Sequence, residues 1–243
     1  MIPIRDVNPT AIRPLLTWLI VAVNLVVYLF VQPQSGPEAE EFAYRHAAIA
    51  CELTTGDALE VSEISTGVCR ETPGPSVVFP QKNLLGSVLA SMFLHAGLAH
   101  ILFNMWSLWI FGNNVEEAFG HLGFALMYLL SGVAATLGFV VVNPDLTTPL
   151  VGASGAIAGV MGAYVVLFPR HQVMTLIFFR IVAIPAVWFL GIWFVSQFAI
   201  GADSGVAWEA HVAGFLFGVM VTLPFRRRLL ANTLTGAQEL GRI

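Results

Sequence analysis

Apolar residues in this chain gather into long unbroken runs rather than the one-sided stripes of a soluble helix. Leu15 to Val31 is the first run. Leu98 to Phe111, Phe119 to Val142 and a run from Ser154 to just before Pro169 follow. Ile181 to Ile200 and Ala210 to Phe225 complete the set. Several approach or exceed the roughly 20 helical residues needed to cross a bilayer. A shorter apolar stretch, Leu84 to Leu94, cannot span and reads as an interfacial or re-entrant piece. The pattern predicts an all-α polytopic membrane protein with six transmembrane helices. Residues 15–225 would form the membrane domain, between an N-terminal segment 1–14 and a C-terminal tail 226–243. The first run is long for a signal peptide and lacks a small-residue cleavage site. Trp18 and Tyr28 near its ends suit a retained interfacial anchor.

The polar connections refine this picture. Gly112-Asn113-Asn114-Val115-Glu116-Glu117 reads as a tight turn between spans two and three. Pro185 reads as a tolerated kink in span five, and Pro224 with Arg226-Arg227-Arg228 as the end of span six. Residues 32–82 form a long acidic loop that holds both cysteines, Cys51 and Cys69. Pro73, Gly74, Pro75 and Pro80 argue against regular structure at its end. Two cysteines in one exported loop fit a disulfide, and two free thiols remain the alternative.

Six spans place both termini on one side. Arg5, Arg13, Arg170, Arg180, Arg226, Arg227, Arg228 and Arg242 lie on that side, against Arg45, Arg70 and Lys82 on the other. The positive-inside rule makes both termini cytoplasmic and the acidic loop external. Composition agrees: 57% of residues are hydrophobic and 11% charged, well under half the usual charged share of about 25%. No polybasic tract or nucleic-acid motif is present, so nucleic acid is not an expected partner.

Spans two, four and six all run from outside to inside, so their first turns lie at similar depth. Those turns carry His100 with Asn104 one turn on, then Ser154, then His211. A serine or histidine in an apolar helix often only bonds a carbonyl or a neighbouring helix. Four such residues in one layer match a reaction better. A serine hydroxyl needs a base within hydrogen-bond reach, and imidazole suits that role near neutral pH. His100, Asn104 and the Ser154 N–H are donors for an oxyanion. Gly152 and Gly155 let the backbone turn and approach closely. Gly155-xxx-Gly159 and Gly214-xxx-Gly218 would let spans four and six meet. No aspartate stands behind His211, so the expectation is a Ser–His dyad. Asp57, Asp145 and Asp203 all fall in loops, which excludes an intramembrane aspartyl pair. No H-E-x-x-H occurs, no carboxylate or cysteine joins His95, His100 and His211 in the spans, and Glu209, two residues before His211, would point elsewhere on a helix. No metal and no cofactor is expected.

Three stretches carry a resemblance. Gly152-Ala153-Ser154-Gly155, His95-Ala96-Gly97-Leu98-Ala99-His100-Ile101-Leu102-Phe103-Asn104 and Ala210-His211-Val212-Ala213-Gly214-Phe215-Leu216-Phe217-Gly218 occur in this order, each at the outer start of its span. Together they resemble the rhomboid intramembrane serine proteases, over roughly residues 84 to 225. The resemblance implies Ser154 as nucleophile and His211 as general base and acid. It implies an oxyanion hole of His100, Asn104 and the Ser154 N–H, with supporting glycines Gly152, Gly155, Gly214 and Gly218. His95 matches a family position, with packing or gating as its expected role. Gly112, Glu116 and Gly120 resemble a structural pattern at the turn into helix three.

The chain departs from some members in two ways. Ala158 stands where they stack an aromatic residue on the imidazole. No Trp-Arg pair occurs in the first loop, where Gln81-Lys82-Asn83 lies. The implied function is an intramembrane serine endopeptidase that cuts transmembrane protein substrates near the outer membrane face through an acyl-enzyme. The setting would be a bacterial plasma (inner) membrane, with membrane lipid around the bundle and the site opening outward. The alternatives are a catalytically inactive rhomboid-like binder of membrane proteins and a multipass transporter. The residues give no oligomeric state.

Overall fold

The structure, a computed structural model, describes residues 1–70, 74, 76–201 and 204–233. Glu71, Pro73, Pro75, Asp203, Arg242 and the rest of the tail from 234 lie outside the described residues.

Each of the six apolar runs is helical, though the helices do not match the sequence boundaries throughout. α1 covers Leu15–Val26 and continues as a π-helical turn, Val27–Val31. α6 covers Leu98–Val142, and its one non-helical residue is Gly120, at φ 71° and ψ 164°. Asn104 and Gly132 line the same cavity, although a straight helix would separate them by about 42 Å. α6 therefore doubles back at Gly120, where the left-handed φ favours glycine. This corrects the expected polar turn: residues 112–117 are helical, and the first limb of α6 runs eight residues beyond Phe111 to Phe119.

Those polar residues stay helical because they bind the N-terminal segment. The start of α1 has Pro14 in the cap position, which supplies no side-chain acceptor. Buried Glu116 accepts instead from Leu16 N at 2.9 Å, Thr17 N at 2.8 Å and Thr17 Oγ1 at 2.6 Å. A carboxylate on the exposed N–H groups of a helix start also meets its favourable dipole. Glu117 accepts from Ala11 N, and Asn114 donates to Asn8 O.

α7 (Ser154–Leu167) matches its expected run, and α9 begins at Trp208 rather than Ala210 and runs to Thr222. Pro224 does not end that rod. It lies in a 3₁₀ turn, Leu223–Phe225, and helix resumes at Arg226–Leu230 (α10). The expected fifth span needs a larger correction. Ile181 to Pro185 is strand, and the helix, α8, occupies only Ala186–Gln197. Pro185 caps α8 rather than kinking it. By length and apolar composition, the continuous run Leu98–Val142 and the rod Trp208–Leu230 suffice to cross a membrane; the other apolar helices are shorter.

The fold is also not purely helical. β1 (Ile2–Asp6), β4 (Gln172–Ile177) and β5 (Arg180–Pro185) make an antiparallel sheet in the order β1-β4-β5. The Tyr164 hydroxyl on α7 donates to Asp6 at 2.9 Å, and Trp106 Nε1 on α6 donates to Pro3 O at 2.6 Å.

The acidic segment 32–82 is a folded cap. It contains α2 (Gly36–His46), β2 (Ala48–Ile49), α3 (Ala50–Thr55) and α4 (Val61–Thr66). Cys51 and Cys69 are joined in a disulfide. Glu52 and Lys82 form a buried ion pair at 2.5 Å. Burial raises the Glu52 carboxyl and lowers the Lys82 ammonium from their ordinary values, and their mutual contact opposes both shifts. β2 pairs with β3 (Pro149–Leu150), on the loop that leads to Ser154. α5 (Leu84–Ser91) is the short apolar piece, and Asn83 caps its start by accepting from Gly86 N.

Asp6 provides a test of the sheet's attachment. Burial pushes its carboxyl up from 3.8 to about 6, and the Tyr164 hydrogen bond limits the rise. The folded state thus binds this proton more tightly than the unfolded chain. Its stabilising contribution is full below 3.8 and is lost as pH rises through about 6. Asp6→Asn keeps an acceptor for Tyr164 and cannot ionise. We expect it to flatten the pH dependence of the thermal midpoint across that window and to raise the midpoint at pH 7. Parallel midpoint–pH profiles for parent and variant would contradict the assignment.

Candidate active site

α7 and α9 meet backbone to backbone. A Cβ at Gly214 would collide with the Gly155 carbonyl oxygen, and one at Gly218 with that of Gly159. On its other side, Gly155 leaves room only for the Ala135 methyl from α6. This close approach carries the first turns of the two helices together. Ser154 Oγ and His211 Nε2 lie 2.8 Å apart.

Gln197, at the end of α8, faces the other imidazole nitrogen: His211 Nδ1 and Gln197 Oε1 are 2.8 Å apart. An amide oxygen only accepts, so Nδ1 carries the proton and Nε2 is the acceptor for the Ser154 hydroxyl. Gln197 is itself buried, and its Nε2 donates to Trp193 O at 3.0 Å. The Trp193 ring lies 6.0 Å from the His211 ring, between centroids, at 34°. These α8 residues hold the imidazole that the small Ala158 cannot reach. Ala158 is fully buried. Sequence reasoning missed Gln197, although the signal was present. It is a lone amide closing an apolar run, and α8 runs opposite to α7 and α9. The end of α8, not its start, belongs to the polar layer.

His100 falls near the same hydroxyl, and Asn104 lines the cavity that the hydroxyl faces. A Cβ at Gly152 would lie 2.7 Å from both Cε1 and Nε2 of His100 and 3.5 Å from Ser154 Oγ. Gly152 has φ 128°, so both its conformation and its contact with the imidazole suit glycine. Ala96 N donates to His100 Nδ1 at 3.4 Å, which leaves Nε2–H as the ring's donor toward Ser154. Buried Asn104 keeps its Nδ2 without a partner among the described residues. Both side chains line one cavity of about 850 Å³ with Ser154, Gly152, Gly155 and His211. Gly214 and Gly218 lie behind it, at the helix contact. His95 is fully buried, and its ring meets His100 edge-on at 5.1 Å between centroids. It packs against His100 and makes no direct contact with the Ser154–His211 pair.

The loop before Ser154 is pinned from the cap. Ser91 O accepts from Gly152 N at 2.9 Å, and Ser91 Oγ accepts from Ala48 N at 2.6 Å. Cys51 N donates to Leu146 O at 3.0 Å. One serine of α5 therefore links the cap strand to the glycine beside His100. Nothing in the residue pattern marked Ser91, since a serine in an apolar helix is ordinary.

The arrangement provides a hydroxyl, an oriented imidazole, and unused donors over an apolar cavity. Residues 83–228, more than half of the chain, match the family model described as Rhomboid domain. The chain belongs to the rhomboid family. It is 34% identical over 164 residues to Rhomboid protease GluP of Bacillus subtilis, covering 63% of this chain and 30% of that protein. It is 31% identical over 147 residues to Rhomboid protein 1, mitochondrial, of Saccharomyces cerevisiae, covering 55% and 40%. Rhomboid protease AarA of Providencia stuartii is 27% identical over 162 residues, covering 56% and 54%. The chain thus spans about a third to a half of the length of these relatives. The rhomboid family is one of polytopic, mainly helical membrane proteins, and its proteases are serine peptidases acting on transmembrane proteins.

Proposed function

We propose that this rhomboid is an intramembrane serine endopeptidase with a Ser154–His211 dyad. The observation that carries the reading is the 2.8 Å contact of Ser154 Oγ with the unprotonated nitrogen of His211, inside a cavity lined by unused donors. Six spans cross the bilayer, with both termini and the arginine-rich connections cytoplasmic. The disulfide-bonded cap and the mouth of the site then face the outer side, in a bacterial plasma membrane.

In this mechanism His211 Nε2 takes the Ser154 proton as Oγ attacks a peptide carbonyl in the substrate. The resulting oxyanion is met by His100 Nε2–H, Asn104 Nδ2–H and the Ser154 N–H, at the start of α7 where the helix dipole also favours negative charge. His211 returns the proton to the leaving amine, and an acyl-enzyme on Ser154 remains. Water from the outer side, deprotonated by His211, releases the acid and restores the hydroxyl. Gln197 holds the Nδ1 proton throughout and accepts a stronger, charge-assisted bond when the ring is cationic. A helical substrate hides its peptide bonds, so it must unwind before entering the cavity. This favours single-pass proteins with helix-weakening residues near the outer end of the span and a small residue before the cut.

The test compares the purified protein with Ser154→Ala and His211→Ala on a transmembrane-segment substrate in detergent. The parent is expected to cleave, and each variant to lose about 10⁴-fold or more. A folded parent with no cleavage of any weakened-helix substrate would favour the non-catalytic binder instead. Gln197→Leu, which fills similar space but accepts no hydrogen bond, is expected to lower kcat about tenfold with KM little changed, as loss of one hydrogen bond in the transition state predicts. The deficit should narrow in Gln197→Glu, which restores an acceptor. Equal kcat values in parent and Gln197→Leu would remove Gln197 from the mechanism.

A further inference from the structure

At the end of the bundle away from Ser154, the β4–β5 hairpin closes through two residues, Phe178 and Phe179. They are the most exposed large apolar side chains among the described residues, at 90% and 99%. Phe178 has φ 52° and is the only non-glycine with positive φ among the described residues. Two-residue hairpin turns of this kind favour asparagine or glycine, which adopt such a φ cheaply. The chain places a phenylalanine there, at a conformational cost that the turn itself does not require. Beyond the tip, Arg180, Ile181, Val182 and Ala183 of the edge strand are all exposed. An apolar edge strand facing water would be an aggregation hazard.

The position of the sheet says what covers it. Pro3 is tied to Trp106, well within the first limb of α6, and Asp6 to Tyr164 of α7. The sheet thus sits against helices of an integral membrane family rather than hanging free of them. Among the described residues, the exposed charges at this end are cationic. Arg5, Arg170, Arg180, Arg227 and Arg228 are exposed, while Glu116 and Glu117 are buried.

We propose that the Phe178–Phe179 tip is a lipid anchor that inserts into the anionic leaflet at the end of the bundle opposite the active site. The two rings enter the acyl region. Arg180 and the neighbouring arginines meet lipid phosphates. The unpaired backbone groups of β5 stay at headgroup level, where water satisfies them. This anchor would fix the tilt of α7, and hence the depth of Ser154, through the Tyr164–Asp6 and β1–β4 contacts.

The test needs no substrate, so its outcome is independent of the Ser154 chemistry. Cys51 and Cys69 are joined, so the full chain carrying Phe179→Cys accepts one nitroxide label. The labelled protein is reconstituted in phosphatidylglycerol–phosphatidylethanolamine vesicles, and a label on Val61→Cys in the cap is the aqueous reference. The ratio of oxygen to nickel-chelate collisions at position 179 is expected to exceed the reference roughly tenfold, because the polar chelate is excluded from acyl chains. It is expected to fall when phosphatidylcholine replaces phosphatidylglycerol. A ratio equal to that of Val61→Cys would overturn the proposal. So would spin–spin broadening at position 179, which would put a second copy of the chain on the tip. A ratio unchanged in phosphatidylcholine would overturn the anionic selectivity.

Discussion

The contact between Ser154 and His211 depends on two helices touching where side chains would keep them apart. Gly155 and Gly159 on α7 face Gly214 and Gly218 on α9, and a methyl group at either position on α9 would strike a carbonyl oxygen. In lipid there is no hydrophobic force to press helices together, so close packing of small residues supplies the attraction. The same contact sets the geometry of the chemistry. Ser154 is the first residue of α7, and His211 lies in the first turn of α9. Parallel helices in register place those two turns at one level.

Around that pair, several elements act on one small space. The second limb of α6 packs Ala135 and Ser131 against the glycines of α7, and its first limb supplies His100 and Asn104. The turn between the limbs sits at the far end, where Glu116 caps α1 and ties down the N-terminal segment. α8 runs the opposite way and delivers Gln197 and Trp193 to the imidazole. The cap, held by its disulfide and buried ion pair, reaches the active loop through Ser91. The acidic insert is therefore joined to the site by backbone pairing and not merely carried above it.

Much of this was legible from residues alone, for a physical reason. A polar side chain in an apolar run is costly, so Ser154, His211, His100 and Asn104 stood out, and the structure brings all four around one cavity. The same cost argument fails at Gly112 to Glu117, where polarity in the sequence looks like an exit from the helix. The structure offsets it with hydrogen bonds to the start of α1 and to the segment before it. The hairpin was hidden because Ile181 to Pro185 is apolar and runs straight into α8, and apolar periodicity does not separate strand from buried helix. Pro185 carried the missed signal, since the residue before proline prefers an extended backbone. Gln197 is invisible to a comparison of helix starts because it closes α8 rather than opening it. Two cysteines in one exported loop already suggested the Cys51–Cys69 link, against free thiols, whereas nothing in a count of charges along the loop singles out Glu52 and Lys82 as partners.

Whether Ser154 is a nucleophile activated by His211 is read from the site of reaction with a fluorophosphonate, located by mass spectrometry of the intact protein and its peptides. One phosphonyl group per folded chain is expected, on the peptide carrying Ser154, and none on chain unfolded before exposure. Folded protein that takes up no adduct, or carries it on another residue, would rule out Ser154 as the nucleophile.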